Sequence, residues 1–178
     1  MIISIEELRK YINTDETDAM LEAKLRALEL LIRKYTNNNF QVRTIRRTAD
    51  IFGGLFVVQA LNPFNPGDTI QISESEYNEG IFTVAENIDG SDSTFTVNED
   101  VIDEGSVLVT KVKYPMDVVM GAINMMKWDM ENREKVGIQS ESISRHSVTY
   151  FNMDGDNSIV GYPKSLTGFL KPYKRARF

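Results

Sequence analysis

Apolar positions along this chain recur with two different periods, and the switch between them predicts its architecture. From Leu21 they fall at helical spacing, at Leu21, Leu25, Leu28, Ile32 and Tyr35, and the run Asn37, Asn38, Asn39 then supplies a stop. A shorter helix precedes it: Ser4 is placed as an N-cap, Glu7 follows at capping-box distance, and Ile3 can staple onto Leu8, with an end expected near Ile12. Between Thr48 and Lys113 the period drops to two, in short runs such as DTIQIS, GIFTVAE, STFTVNE and SVLVTKV. Turn-forming NPGD, NEG and IDGSD separate them, which predicts five or six strands. Helical spacing returns after Tyr114. Pro115 suits a first turn, Asp117 suits the positive end of a helix, and Val119, Ala122, Ile123, Met126 and Met130 form one stripe that Gly137 closes. IQSESISRHSVTYF reads as extended and NMDGDNS as a loop. A short last helix from about Pro163 then runs into Pro172 and a terminal arm.

This pattern predicts an α+β fold: a small antiparallel helical core, residues 1–47 and 114–170, interrupted by an antiparallel β-barrel-like domain at 48–113 and followed by an arm at 171–178. Charge divides along the same lines. The stretch 48–113 holds two lysines against twelve carboxylates, a local net of −10, which leaves +4 for the rest of a chain whose total is −6. A 42% hydrophobic share and 10% aromatics suit a globular protein, and no window approaches the ~18 consecutive apolar residues of a membrane span. With no cysteine there is neither a disulfide framework nor a thiolate metal site. The opening MIISIEELRKY lacks the flank and apolar run of a signal peptide, so a cytosolic origin is the expectation.

Candidate chemistry is sparse. His146 is the one histidine, and an imidazole acts as a general base only where a nucleophile and an orienting group converge on it; SRHSVTY shows neither. Counting an EF-hand loop from Asn152 puts Asn157 where the turn glycine belongs and Pro163 where the bidentate Glu belongs, so Asp154 and Asp156 read as a solvated turn. Gly53 and Gly54 are followed by no GK[ST], so they form no phosphate loop. Glu74, Glu76, Glu79, Asp100, Asp103 and Glu104 could in principle pair as acid and base for a hydrolase, but turn-like positions favour a solubilising surface. The methionines of the third helix fit a core stripe better than an adaptable binding face. No catalytic residue, cofactor or metal is expected.

The ending SLTGFLKPYKRARF departs from the acidic rest of the chain: nothing after Asp156 is acidic, and Lys171, Lys174, Arg175 and Arg177 alternate with Tyr173 and Phe178. Such an arm can grip phosphates and stack on bases, dock on an acidic and partly apolar protein groove, or fray. The negative balance of the insert weighs against sequence-nonspecific DNA binding as the main task.

Three stretches resemble the head–tail connector (adaptor) proteins of long-tailed bacteriophages and prophages: ISIEELRKYINTDETDAMLEAKLRALELLIRKYTNNNF, GIQSESISRHSVTYF and GYPKSLTGFLKPYKRARF. Within the insert, FNPGDTIQISESEYNEGIFTVAE is similar to small β-barrel modules of other phage connector and tail proteins. The resemblance implies a non-enzymatic virion component at the head–tail interface, made in the host cytoplasm. It would form a homo-oligomeric ring, usually a dodecamer, that binds the portal protein and the next tail-side (stopper) connector and passes DNA through its channel. Phe169, Lys171, Tyr173, Lys174, Arg175, Arg177 and Phe178 would then dock on the portal. Two departures stand out: the long insert, and Arg145 and His146 where the family often has a glycine and an acid. The competing expectation is a nucleic-acid-binding module that uses the basic arm.

Overall fold

The computed structural model describes residues 1–88, 93–132, 140–143, 146–149 and 157–176, with the backbone alone at 140–143 and 146–149. Met1–Ser4 and Asn39–Tyr114 form one compact unit, and Ile5–Asn38 with Pro115–Phe178 form a second. Helices and a closed antiparallel barrel together make this an α+β protein.

The first unit is the barrel. Its strands are β1 (Gln41–Phe52), β2 (Leu55–Val58), β3 (Thr69–Ser73), β4 (Gly80–Asn87), β5 (Thr94–Val97) and β6 (Glu104–Val112). They close in the order β1-β2-β5-β4-β3-β6, with β6 returning to β1, so no long strand edge is left unpaired. Strand β1 begins at Gln41, ahead of the expected Thr48, because the alternation in QVRTIRR is masked by three arginines. Gly53 and Gly54, at φ 57° and 80°, form the two-residue turn that lets Phe52 pair with Leu55; both positions need the left-handed conformation that glycine adopts at no steric cost. Inside, Ala49, Ile51, Phe56, Val58, Phe64, Ile70, Ile72, Val84, Phe95, Val107 and Val109 form one buried cluster. Phe56 stacks on Phe95 at 4.7 Å between centroids, and Phe64 meets Phe95 edge-on at 5.3 Å.

The second unit is helical. It contains α1 (Ile5–Arg9), α2 (Asp18–Thr36), α3 (Met116–Asn132) and α4 (Lys164–Thr167), with the backbone hairpin β7 (Ser140–Ile143) and β8 (His146–Thr149) and the short pair β9 (Ser158–Ile159) and β10 (Tyr162–Pro163). Thr17 caps α2 by accepting from the Met20 N–H, and Asn37, at φ 50°, ends it in the left-handed conformation. Leu21, Leu25, Leu28 and Ile32 are buried as the spacing requires, and Tyr35 is half-buried. The buried face of α3 is rotated from the expected stripe: Val118, Ala122, Ile123, Met125 and Met126 are buried, whereas Val119 and Met130 are half-buried. The reason lies at Gly121, where the chain's last segment lies against the helix and adds a second covered side. Gly137, Arg145 and the Asp154–Asp156 turn lie outside the described residues, and His146 is described by its backbone alone.

Candidate functional site

The terminal segment was expected as a free arm, and the structure corrects this as far as Ala176. After α4 the chain continues as a 3₁₀ helix, Gly168–Tyr173, with Pro172 inside it. Leu170 is fully buried. The ring of Phe169 lies so close over Gly121 that a Cβ on that residue would fall within 3.0 Å of it. Phe169, half-buried, therefore packs within its own unit against α3.

Beyond it the segment is tied to the C-terminal end of α2. The Arg175 N–H donates to the Thr36 carbonyl at 2.8 Å, the Asn37 side-chain amide to the Ala176 carbonyl at 3.0 Å, and the Asn38 amide to the Tyr173 carbonyl at 3.1 Å. Carbonyls in the last turn of a helix lack intrahelical partners, so the Arg175 contact fills a vacancy that every α-helix leaves. Tyr173 donates its hydroxyl to the Asp117 carboxylate at 2.8 Å, and this bond raises the Tyr173 pKa above its ordinary value. The Lys174 ammonium sits 3.9 Å over the Tyr35 ring.

The outcome is a fixed display of charge. Lys174 and Arg175 are exposed beside the negative end of the α2 dipole and Lys171 is exposed on the preceding 3₁₀ helix, and none of the three has an ion-pair partner among the described residues. Lys34 is exposed on the last turn of α2. Of the residues singled out in the sequence, Phe169 and Tyr173 serve as internal ties, and Lys171, Lys174 and Arg175 form the surface. Arg177 and Phe178 lie outside the described residues. Sequence reasoning missed Tyr35, Asn37, Asn38, Asp117 and Gly121 as the partners of this segment. The asparagine run signalled a helix stop, but nothing in it signalled what the stop would hold.

The insert's carboxylates are not merely a solubilising surface. Glu104 accepts from the Ser75 hydroxyl at 2.6 Å, the Glu76 N–H at 2.6 Å, the Asn78 amide at 2.8 Å and the Tyr77 N–H at 3.3 Å. These donors, the Ser75 hydroxyl foremost, hold its pKa down to about 2. A carboxylate so stabilised as an anion is the opposite of a general acid, which must hold its proton near neutral pH. Asp103 accepts from the Gly53 N–H, Asp50 from the Ser106 N–H and Glu99 from the Thr83 N–H, so each fastens a turn or strand end. Among the described residues no group of three or more His, Asp or Glu is arranged to hold a metal ion, and no helix is long and apolar enough to cross a membrane.

No family model matches the chain. A curated protein from Vesicomyosocius okutanii subsp. Calyptogena okutanii (strain HA), described as a probable transcriptional regulatory protein, is 29% identical over 139 residues, which cover 70% of this chain and 56% of that protein. The chain thus spans little more than half of that relative's length. This finding overturns the connector reading, because the similar protein carries a name unrelated to phage head–tail joints. The portal and tail-side partners, the dodecameric ring, the placement in a virion and portal docking by Phe169, Lys171, Tyr173, Lys174, Arg175, Arg177 and Phe178 fall with it. The physical reason is that the three resembling stretches consist of caps, leucine spacing and a basic terminus, which many helical folds need irrespective of task.

Proposed function

We propose that this chain is a non-catalytic regulatory protein that binds duplex DNA through phosphate contacts from Lys171, Lys174 and Arg175. The observation that carries the reading is that these exposed cations stand on a segment whose backbone is tied to the end of α2, without acidic partners among the described residues. Cations already ordered by a hydrogen-bonded segment lose less conformational freedom on meeting phosphate than a free arm would. The transcriptional role named for the similar protein is of the same kind. Phosphate contacts fix position and orientation and leave sequence reading to groups that reach the base edges. By charge the barrel unit, with five cations against twelve carboxylates, is unsuited to this task, and the helical unit, with fifteen against fourteen, is the one that carries these cations.

The test is duplex binding by fluorescence anisotropy across about 50 to 200 mM salt, for the natural chain and for the combined Lys171→Gln, Lys174→Gln, Arg175→Gln variant. Each phosphate contact contributes about −0.9 to the slope of log K against log salt, so the variant's slope should be shallower by about 2.7 if all three engage. Its melting should change little, because the three side chains are exposed. Unchanged affinity and slope in the variant would remove the proposal.

A further inference from the structure

One end of the barrel is built differently from the rest of its surface. The β1–β2, β3–β4 and β5–β6 connections meet there, and each displays one large apolar side chain: Phe52 is 61% exposed, Tyr77 58% and Ile102 57%. Such residues usually lie on mobile tips. Here the three connections are laced together. The Gly53 N–H donates to Asp103 at 2.6 Å, the Asn78 amide donates to the Ile102 carbonyl at 2.9 Å, and the Ile102 N–H returns to the Asn78 side-chain oxygen at 2.9 Å. Glu104 collects four donors from residues 75 to 78, and Asn78 itself is 4% exposed. The apolar side chains are therefore held out to solvent by a fully bonded scaffold, which reduces the ordering cost of a contact.

The rim around them has one sign. Glu74, Glu76, Glu79, Asp100 and Asp103 are all exposed, and no Lys or Arg occurs between Arg47 and Lys111. We propose that this barrel end is a docking surface for a basic polypeptide segment that brings its own apolar side chains, the acids steering the encounter and Phe52, Tyr77 and Ile102 supplying the contact core. An apolar centre with a charged rim is the usual anatomy of a protein–protein interface, and aromatic anchors at the centre carry most of the affinity. Charge selects the partner class: an anionic surface of this kind repels nucleic acid and acidic membranes and favours a lysine- or arginine-rich segment.

The experiment uses the full chain and three labelled peptides of equal length: a leucine pair flanked by lysines, the same peptide with glutamates for lysines, and the same peptide with serines for leucines. The lysine–leucine peptide should bind and the other two should bind at least about tenfold more weakly, since charge or apolar contact alone is insufficient. Two variants localise the contact: Phe52→Ser with Tyr77→Ser and Ile102→Ser, and Glu76→Lys with Glu79→Lys and Asp100→Lys. Each should lower the peptide's affinity at least about tenfold; the serine variant should bind duplex DNA as the natural chain does, and the charge-reversed variant should bind it no more weakly. Melting of each variant guards against a folding defect, and the charge-reversed variant, altered only at exposed positions, keeps the test decisive if the serine variant fails to fold. The proposal is overturned if the glutamate peptide binds as well as the lysine one, if no peptide binds, or if both variants retain full affinity. It is also overturned if the serine variant abolishes self-association of the natural chain, which would assign the surface to a second copy.

Discussion

Gly121→Ala tests how the terminal segment is held, because alanine should help the helix and harm its packing at the same time. Gly121 lies inside α3, where glycine costs about 1 kcal/mol of helix propensity relative to alanine. An added Cβ, however, would lie within 3.0 Å of three atoms of the Phe169 ring, a separation that non-bonded carbons do not tolerate. The ring must swing away, and overpacking of this kind costs about 1 to 3 kcal/mol. The two effects leave a net destabilisation of about 1 kcal/mol, within a range of about 0 to 2. With Phe169→Ala the obstruction is absent and only propensity remains, so Gly121→Ala should then stabilise by about 1 kcal/mol. The sign change is the measurement: urea unfolding of the four proteins in the cycle should yield a coupling of about 1 to 3 kcal/mol. Trp128, the chain's one tryptophan and a residue of α3, reports the helical unit separately from the barrel. Equal effects of Gly121→Ala with and without the Phe169 ring would refute the claim that this ring against this glycine seats the segment. Loss of the seat should also weaken DNA binding, since Lys171, Lys174 and Arg175 follow directly.

Two further outcomes are expected. Glu104 has a folded-state pKa of about 2, below the ordinary carboxylate value, so its contribution to stability is present above the unfolded pKa of about 4.3 and is lost as pH falls through about 2. Acid titration of the barrel's melting temperature should therefore be flatter for Glu104→Gln than for the natural chain between about pH 4 and 2, and parallel curves would disprove the link. Replacing residues 39–114 by a short Gly/Ser linker should leave a soluble helical protein with a cooperative Trp128 transition. The ends of the excised unit lie side by side, since Gln41 pairs with Val112 and the Lys113 N–H donates to the Phe40 carbonyl at 3.0 Å. Aggregation, or loss of the transition, would show that the helices depend on the barrel.

What could be read in the sequence was whatever depends on short stretches of chain. The leucine spacing of α2, its asparagine stop and the period-two runs of the barrel each arise from geometry that repeats within a few residues, so pattern alone determined the α+β class. The early start of β1 was hidden because arginines in QVRTIRR obscure the alternation, and pairing with β6, some sixty residues away, decides the matter. Charge sums located the basic terminus, but not its conformation: that follows from Asn37, Asn38 and Thr36 meeting residues 173 to 176 across more than a hundred residues. The same is true of the acids. Glu104 and Glu76 are equivalent as letters, yet one is fixed by four donors and the other stands free in the rim, because the donors of the β3–β4 connection reach Glu104, at the start of β6, only once the barrel has closed. That Phe52, Tyr77 and Ile102 share one barrel end was likewise invisible, since the connections beside them are tied together through strand order and not through spacing. Local periodicity fixes what each segment is, and long-range closure of barrel and helices decides which side chains meet.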